Sequence, residues 1–348
     1  MKNEIENKNE YQLLLRKIGE TYIHHKSKAI NFVNKELLTS YWKIGEYIVN
    51  FEQKGNVKAE YGKQLLIRLA KDLKIKHGRG FSRSNLYQMR QFYQKYPKIQ
   101  TVSGELTWSH YVELLNISDD LARSFYQKQI LIEGWSVREL KRQKKTALFQ
   151  RLALSKDKEG ILELSKSGHQ ISTPDDLVKD PYVFEFLGIP ENQLYKESEL
   201  ENKLLNKLQQ FLLELGKGFA FIGRQYRITL NNRHFRVDLV FYHYILKCFV
   251  LIDLKVDKLQ HHDIGQMNMY INYFKAEENR EGDNEPIGII LTTDKDDILV
   301  EYATGGLTNQ LFISKYQIYL PDKKALEQKV REILETDDEK EKTTDNNV

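Results

Sequence analysis

The chain has 348 residues, 41% hydrophobic and 29% charged, which is room for two compact domains with separate cores. No apolar run approaches the roughly 20 residues that span a bilayer, and the charged start Met1–Glu10 lacks the apolar core of a secretory leader. The single cysteine, Cys248, has no intramolecular disulfide partner, so a disulfide scaffold is excluded and a cytoplasmic protein is expected.

The net charge of +4 hides an asymmetry: the first 150 residues carry +12 and the remainder −8. From Lys54 to Lys98 there are twelve Lys or Arg against two acids, Glu60 and Asp72. Such a stretch is the footprint of a polyanion binder, because phosphate contacts release condensed counterions. A solvated lysine-rich surface is the alternative.

From Tyr11 to about Ala147 apolar residues recur at three- and four-residue spacing with one proline, Pro97, which predicts an all-α region. Within it, Gly78–Lys95 reads as a turn followed by a recognition helix, with Leu86, Met89 and Tyr93 packed inward. Asn85, Gln88 and Lys95 then share the outer face. Asn and Gln suit adenine edges, while Arg83 and Lys95 suit phosphates. An ordinary amphipathic helix of a bundle has the same pattern. Trp42, Trp108 and Trp135 are assigned to the core, and Ser136-Val-Arg-Glu139 has the form of a capping box.

Residues 1–150 therefore form a helical, basic, DNA-binding candidate domain. Residues 151–195 read as a loosely packed connector, since Ser155–Lys196 holds three of the six prolines. A second domain occupies 196–336, and the charged segment 337–348 is expected to be a disordered tail. In the second domain a helix is predicted over 199–215, with Leu204, Leu208, Phe211 and Leu215 on one stripe. Strands follow at 219–230, 235–242 and 246–256, with Asn231-Asn232 as a tight turn. A helix at 263–275, strands at 287–292 and 312–320, and a closing helix at 323–334 complete an αβββαβ order with an added strand and helix.

Chemistry concentrates at the end of the third strand, Cys248-Phe-Val-Leu-Ile-Asp253-Leu-Lys255. Five consecutive apolar residues mark a strand covered on both faces, so charges at its end need a reason. Side-chain alternation puts Asp253 and Lys255 on one face, ~7 Å apart along the strand. On the preceding strand Val237, Leu239 and Phe241 form the apolar face and leave Asp238 on the other. Strand pairing would bring Asp238 to Asp253. Two adjacent carboxylates repel unless a cation compensates, and an all-oxygen site suits Mg²⁺ or Mn²⁺. Lys255 would orient a water or stabilise negative charge in phosphodiester hydrolysis.

The array Asp238, then Asp253-Leu254-Lys255, resembles the PD-(D/E)XK nuclease superfamily. Phe241-Tyr242, Cys248–Lys255 and Gly265-Gln-Met-Asn-Met-Tyr270 resemble the YhcG-type nucleases, from Tyr11 to about Leu334. The resemblance implies an all-α N-terminal domain followed by an α/β restriction-endonuclease-like domain, an α+β protein overall. It implies Asp238 and Asp253 as metal ligands and Lys255 as the catalytic lysine. Glu201 matches the acid on the first helix, and Gln266 with Tyr270 the pair on the helix after the lysine strand. Val237 stands where the superfamily places its proline.

Glu201 falls on the apolar stripe of its helix, where a carboxylate needs a partner, although a first-turn glutamate is also favoured by the helix dipole. Asp263-Ile-Gly-Gln266 has the spacing of an N-cap with glutamine at N3; helical spacing alternatively puts Gln266 and Tyr270 on one phosphate-facing side. His261 and His262 are assigned to the surface because adjacent loop histidines diverge and no further ligand stands at metal spacing. The resulting expectation is a Mg²⁺- or Mn²⁺-dependent DNA endonuclease, with a homo-dimer favoured if both strands are cut. The alternatives are a non-catalytic DNA-binding protein that keeps a nuclease fold, and an interaction module in a repair or defence assembly.

Overall fold

The computed structural model describes residues 2–54, 59–190, 195–294, 300, 304–305 and 310–345. By contacts the chain forms two compact units, Met1–Arg123 with Gly134–Leu140, and Ser124–Glu133 with Lys141–Val348.

The first unit is helical: α1 (Lys2–Lys54), α2 (Ala59–His77), α3 (Arg83–Lys95), α4 (Trp108–Leu115) and the starts of α5 (Asp120–Glu133) and α6 (Val137–Lys145). Ile48, Leu66, Leu86 and Met89 form a core with Tyr41, Leu69 and Trp108 around it. Gly45 allows α1 to lie against α3, since a Cβ there would stand 2.1 Å from the Met89 carbonyl oxygen. Ser82 caps α3, its Oγ accepting from Asn85 N at 3.2 Å. The start of α6 is capped as its sequence requires, with Ser136 Oγ accepting from Glu139 N at 3.2 Å.

The second unit adds α7 (Leu148–Ala153), α8 (Lys158–Ser167), α9 (Glu197–Asn206), α10 (Leu208–Leu215), α11 (His261–Tyr273) and α12 (Lys323–Asp345) to a sheet. Its strands are β1 (Tyr182–Val183), β2 (Phe219–Leu230), β3 (Arg233–His243), β4 (Cys248–Lys255), β5 (Ile287–Thr292) and β6 (Gln310–Gln317), in the order β1-β6-β5-β4-β3-β2. β2, β3 and β4 form an antiparallel meander, whereas β4, β5, β6 and β1 run parallel. Alternation along β4 gives each face its own core. Val250, Ile252 and Leu254 pack with Leu200, Leu204 and Phe211 of α9 and α10. Leu251 packs with Ile264, Met267 and Ile271 of α11. Gly288 of β5 lets α11 approach, because a Cβ there would meet Met267 Cγ at 2.7 Å. Asn231 and Asn232 make the β2–β3 turn with φ of 45° and 59°, the left-handed pair a two-residue hairpin requires.

Several elements depart from their sequence reading. The helix expected over 199–215 is two helices broken at Lys207, whose φ of −122° and ψ of 33° leave the helical region. Residues 151–195 are no loose connector: Leu177, Tyr182, Val183, Phe184, Leu187 and Ile189 are buried, and β1 closes the sheet edge. Of the segment 337–348, expected to be disordered, residues as far as Asp345 continue α12, and 346–348 lie outside the described residues. Helix α11 starts at His261 rather than Asp263, with Gln260 as N-cap and Asp263 at N3 closing a capping box. Gln266 is therefore not a capping residue.

The former connector is held by an ionic cluster. Glu214, fully buried on α10, accepts from Arg151 Nη1 at 2.8 Å, Arg142 Nη2 at 3.0 Å and Val183 N at 3.0 Å. Burial pushes this carboxyl up, but Arg151, Lys179 and Arg142 outweigh burial and hold it down to about 2.

Candidate active site

The site lies where β3 and β4 separate. The β3–β4 ladder runs from His243↔Cys248 to Leu239↔Ile252, so Asp238 and Asp253 come one step beyond the last paired residues. Asp238 Oδ2 accepts from Leu254 N at 2.9 Å, which joins the two strand ends. Asp253 is buried, and its carboxyl stands within hydrogen-bonding reach of Asp238. Lys255 Nζ lies 2.9 Å from Asp253 Oδ2. The three residues read from the sequence therefore meet at one place.

The N-terminal parts of two helices, α9 and α11, complete the cluster. Glu201 of α9 is buried with one carboxylate oxygen, Oε1, unpartnered. Its Oε2 accepts from Gln225 Nε2 at 2.8 Å, and the same Nε2 reaches Asp238 Oδ1 at 3.0 Å. Lys255 Nζ also stands 3.9 Å from Glu197 on α9 and 3.8 Å from Asp263 on α11.

Five carboxylates thus share the cluster with one ammonium, and three of them, Asp253, Glu197 and Asp263, lie within 4 Å of it. Burial raises the Asp253 carboxyl above its ordinary range, the neighbouring Asp238 raises it further, and Lys255 only partly offsets both. Burial and Asp238 likewise raise Glu201. Burial raises Glu197, against the pull of Lys255. Burial works to lower the Lys255 ammonium, but Asp253 and then Glu197 and Asp263 outweigh it and raise it. The site has an excess of negative charge.

Glu197, Gln225 and Asp263 were missed in the sequence. Glu197 precedes Glu201 by one helical turn, which is a readable signal. Gln225 lies opposite Asp238, between the pairs Arg224↔Leu239 and Tyr226↔Val237. Its φ of 46° in mid-strand is a left-handed backbone that costs a non-glycine residue ~1–2 kcal/mol, and no pattern in the sequence announces it.

Gln266 and Tyr270 do share a face of α11, and Gln266 Nε2 donates to Tyr270 Oη. Tyr270 is fully buried, however, and its hydroxyl donates to Arg236 O at 2.9 Å. The phosphate contact that its spacing suggests is closed to it; Tyr270 instead fixes the backbone of β3 two residues from Asp238. His261 and His262 are exposed, and Cys248 is a buried residue of the core.

In the first unit, α3 buries Leu86, Met89 and Phe92, while Tyr93 is only half-buried. Asn85 does not present a free outer face, since its Oδ1 accepts from Trp108 Nε1 at 2.8 Å and its Nδ2 donates to Gly80 O. Lys95 is withdrawn as well, because its Nζ donates to Leu115 O at 2.8 Å and Ile117 O at 2.7 Å, at the end of α4. Helical spacing places both on the outer face, but it cannot show what a neighbouring helix end requires. Arg83 is exposed and Gln88 half-buried.

Residues 175–331 match the family model described as the YhcG PDDEXK nuclease domain, and residues 17–151 match the DUF1016 N-terminal domain. The protein described as "Putative nuclease YhcG" from Escherichia coli (strain K12) is 40% identical over 333 residues, covering 86% of this chain and 88% of its own. The chain belongs to the YhcG-type PD-(D/E)XK nuclease family. Two solved structures are also similar over part of the chain. A repair endonuclease from Pyrococcus abyssi is 21% identical with a TM-score of 0.25, covering 37% of this chain and 50% of its own. An EndoMS–dsDNA complex is 15% identical with a TM-score of 0.26, covering 38% and 50%.

Membership makes the chain a phosphodiesterase of the PD-(D/E)XK type, a family that uses divalent metal ions. Among the described residues no three His, Cys, Asp or Glu side chains stand together as a ready ligand set. A fit does not need three. Mg²⁺ keeps several waters and takes one or two carboxylates plus substrate oxygens. Asp238, Asp253 and the orphaned Glu201 oxygen are an oxygen-only donor group of that kind, with negative charge in excess.

Proposed function

We propose that the protein is a divalent-metal-dependent DNA endonuclease, with Mg²⁺ or Mn²⁺ as the ion, whose catalytic domain is the C-terminal sheet domain, β1 of the former connector included, and whose N-terminal helical domain binds DNA. One observation carries the catalytic assignment: Asp238, Asp253 and Lys255 meet at the open end of β3 and β4 with more carboxylate than Lys255 can neutralise. A structural ion pair would need one acid for one lysine.

Asp238 and Asp253 would hold the ion, with Glu201 as a further ligand or water acceptor. The bound ion supplies charge neutralisation at the scissile phosphate and acidifies water. Lys255 orients the attacking water and offsets negative charge that grows as the phosphorus–oxygen bond is made. Its ammonium is held protonated by Asp253, so it acts as a charge and donor. Gln225 bridges Glu201 and Asp238 and sets the orientation of both carboxylates. Tyr270 and Gln266 act through the backbone of β3, as positioning residues.

DNA binding by the first domain is supported by the charge from Lys54 to Lys98 and by a cavity of about 370 Å³ lined by Lys71, Lys74, Arg79 and Phe81 beside the start of α3. Exposed Arg83 extends that basic surface; Gln88 is a lesser candidate, and Asn85 and Lys95 are engaged internally. Each chain carries one catalytic set, so cutting both strands requires two chains or two binding events.

The test is cleavage of linear, nicked, flapped and four-way DNA by purified protein with Mg²⁺ or Mn²⁺. Activity that survives in Asp238→Ala, Asp253→Ala and Lys255→Ala variants would belong to another site or a contaminant. RNA cleaved in preference to every DNA would overturn the substrate assignment.

A further inference from the structure

The β2–β3 hairpin outruns the sheet that carries it. β4 pairs with β3 only from Leu239 to His243, so the five pairs from Tyr226↔Val237 to Leu230↔Arg233 form a two-stranded ribbon with neither edge paired to a further strand among the described residues, the β3 edge taking one side-chain bond from Tyr270 to Arg236 O. At ~3.4 Å per residue it projects about 17 Å.

Alternation gives this ribbon two unlike faces. On one, Ile228 and Val237 are fully buried with Tyr226 and Phe235 against α11, which makes the ribbon a fixed arm. The other face begins with Gln225 and Asp238, both in the catalytic cluster, and continues outward as Arg227, Arg236, Thr229 and His234. All four are exposed. Arg236 follows Asp238 on the same face at ~7 Å, and His234 at ~13 Å.

Arg227 and Arg236 are direct cross-strand partners. Like charges placed so are unfavourable, and among the described residues no carboxylate pairs with Arg227, Arg233 or Arg236. Arg227 packs instead on His234, Nη2 to Nε2 at 2.8 Å, and Thr229 Oγ1 lies 3.1 Å from His234 Nδ1. Arg224, at the base, donates from Nη1 to the neutral Asn202 Oδ1 at 3.0 Å. A repelling pair on a fixed arm, in line with a phosphodiesterase site, calls for an external anion.

We infer that this basic ribbon face grips duplex DNA next to the scissile phosphate, the ribbon lying along the major groove with Arg227 and Arg236 on the backbone. The major groove, about 12 Å wide, admits a two-stranded β-ribbon. The inference rests on the DNA endonuclease reading above and names the part of the catalytic domain that would hold the substrate. It differs from the basic helical domain in that these arginines sit on the strands that carry the catalytic residues, so they bear on where the cut falls.

The test uses the full chain, with Arg227→Gln/Arg236→Gln compared against Lys156→Gln/Lys166→Gln, an equal charge loss at exposed positions on and beside α8. Binding to a 30-base-pair duplex is measured in EDTA across a salt series, after thermal melts show both variants folded. Each phosphate contact contributes about 0.9 to the slope of log K against log salt. The ribbon variant is expected to lose about 2 from that slope, to bind at least tenfold more weakly at low salt, and to show raised KM in cleavage. Unchanged slope and affinity, an equal loss in the α8 control, or a loss confined to single-stranded DNA or RNA would each overturn it. If the wild type cleaves DNA but the ribbon variant binds and cuts as well, the ribbon role fails and the nuclease reading stands. If the wild type cuts no DNA yet the ribbon variant alone loses duplex affinity, the nuclease reading fails and the ribbon role stands.

Discussion

Replacing Asp253 by Asn separates a catalytic centre from a structural ion pair by the sign of its effect on stability. In the folded protein burial and Asp238 raise this carboxyl, and Lys255 does not restore it. A carboxyl raised on folding binds protons more tightly in the native state, so its ionisation destabilises the fold as pH climbs above the unfolded value of ~4. Asparagine removes that ionisation and keeps an oxygen to accept from Lys255, which still has Glu197 and Asp263 at 3.9 and 3.8 Å. Tenfold in proton affinity is worth ~1.4 kcal/mol; after allowing for the lost attraction to Lys255, Asp253→Asn should stabilise the metal-free protein by about 1–2 kcal/mol at pH 7.5. The assay is thermal or urea denaturation in EDTA, repeated between pH 5 and 8. The advantage of the variant should grow with rising pH and shrink toward pH 5. Adding Mg²⁺ at ten times its dissociation constant should then stabilise the wild type by ~1.4 kcal/mol and leave the variant nearly unmoved, while cleavage is lost. A variant less stable than wild type in EDTA at pH 7.5 would mean that Asp253 is half of a stabilising salt bridge, and the reasoning about the site would be wrong.

Other perturbations have equally definite outcomes. Lys255→Ala should lower the cleavage rate by about 10²–10³, the scale of removing one charge-stabilising donor, with duplex affinity in EDTA little changed. Gln225→Gly removes both the left-handed strain and the bridge to Glu201 and Asp238; it should cost ~10–100-fold in metal affinity or rate, as for other ligand-orienting partners, without loss of melting temperature. Glu214→Ala leaves Arg151 and Arg142 facing each other in the interior and should destabilise the catalytic unit by ~3–5 kcal/mol, read by urea titration. Because the Glu214 carboxyl is depressed to about 2, its stabilisation is full above the unfolded value of ~4.3 and disappears as pH falls toward 2; the wild-type advantage over Glu214→Gln should do the same.

Much of the catalytic domain was legible as pattern. Five apolar residues before Asp253 mark a central strand, and alternation in β4 puts Asp253 and Lys255 together, because the period of a strand is a local property of the backbone. The same locality explains the Asn231-Asn232 turn. The register of β3 on β4, by contrast, depends on where the hairpin begins and on the break in pairing past Leu239, so the approach of Asp238 to Asp253 was an expectation until the sheet was assembled.

What the sequence alone determined is the family, the order of elements from β2 to β5, and the three central catalytic candidates. Each follows from short-range spacing or residue identity. Only the tertiary structure decided that Glu197, Gln225 and Asp263 join the site, that Tyr270 is spent on a backbone carbonyl, that Asn85 and Lys95 are consumed in packing, and that Leu177, Tyr182, Phe184, Leu187 and Ile189 belong to the sheet's core. Those facts are set by which side chain fills which neighbour's hydrogen-bonding or packing demand across distant parts of the chain. A linear pattern records a residue's own preference for a face, and says nothing of what stands opposite it.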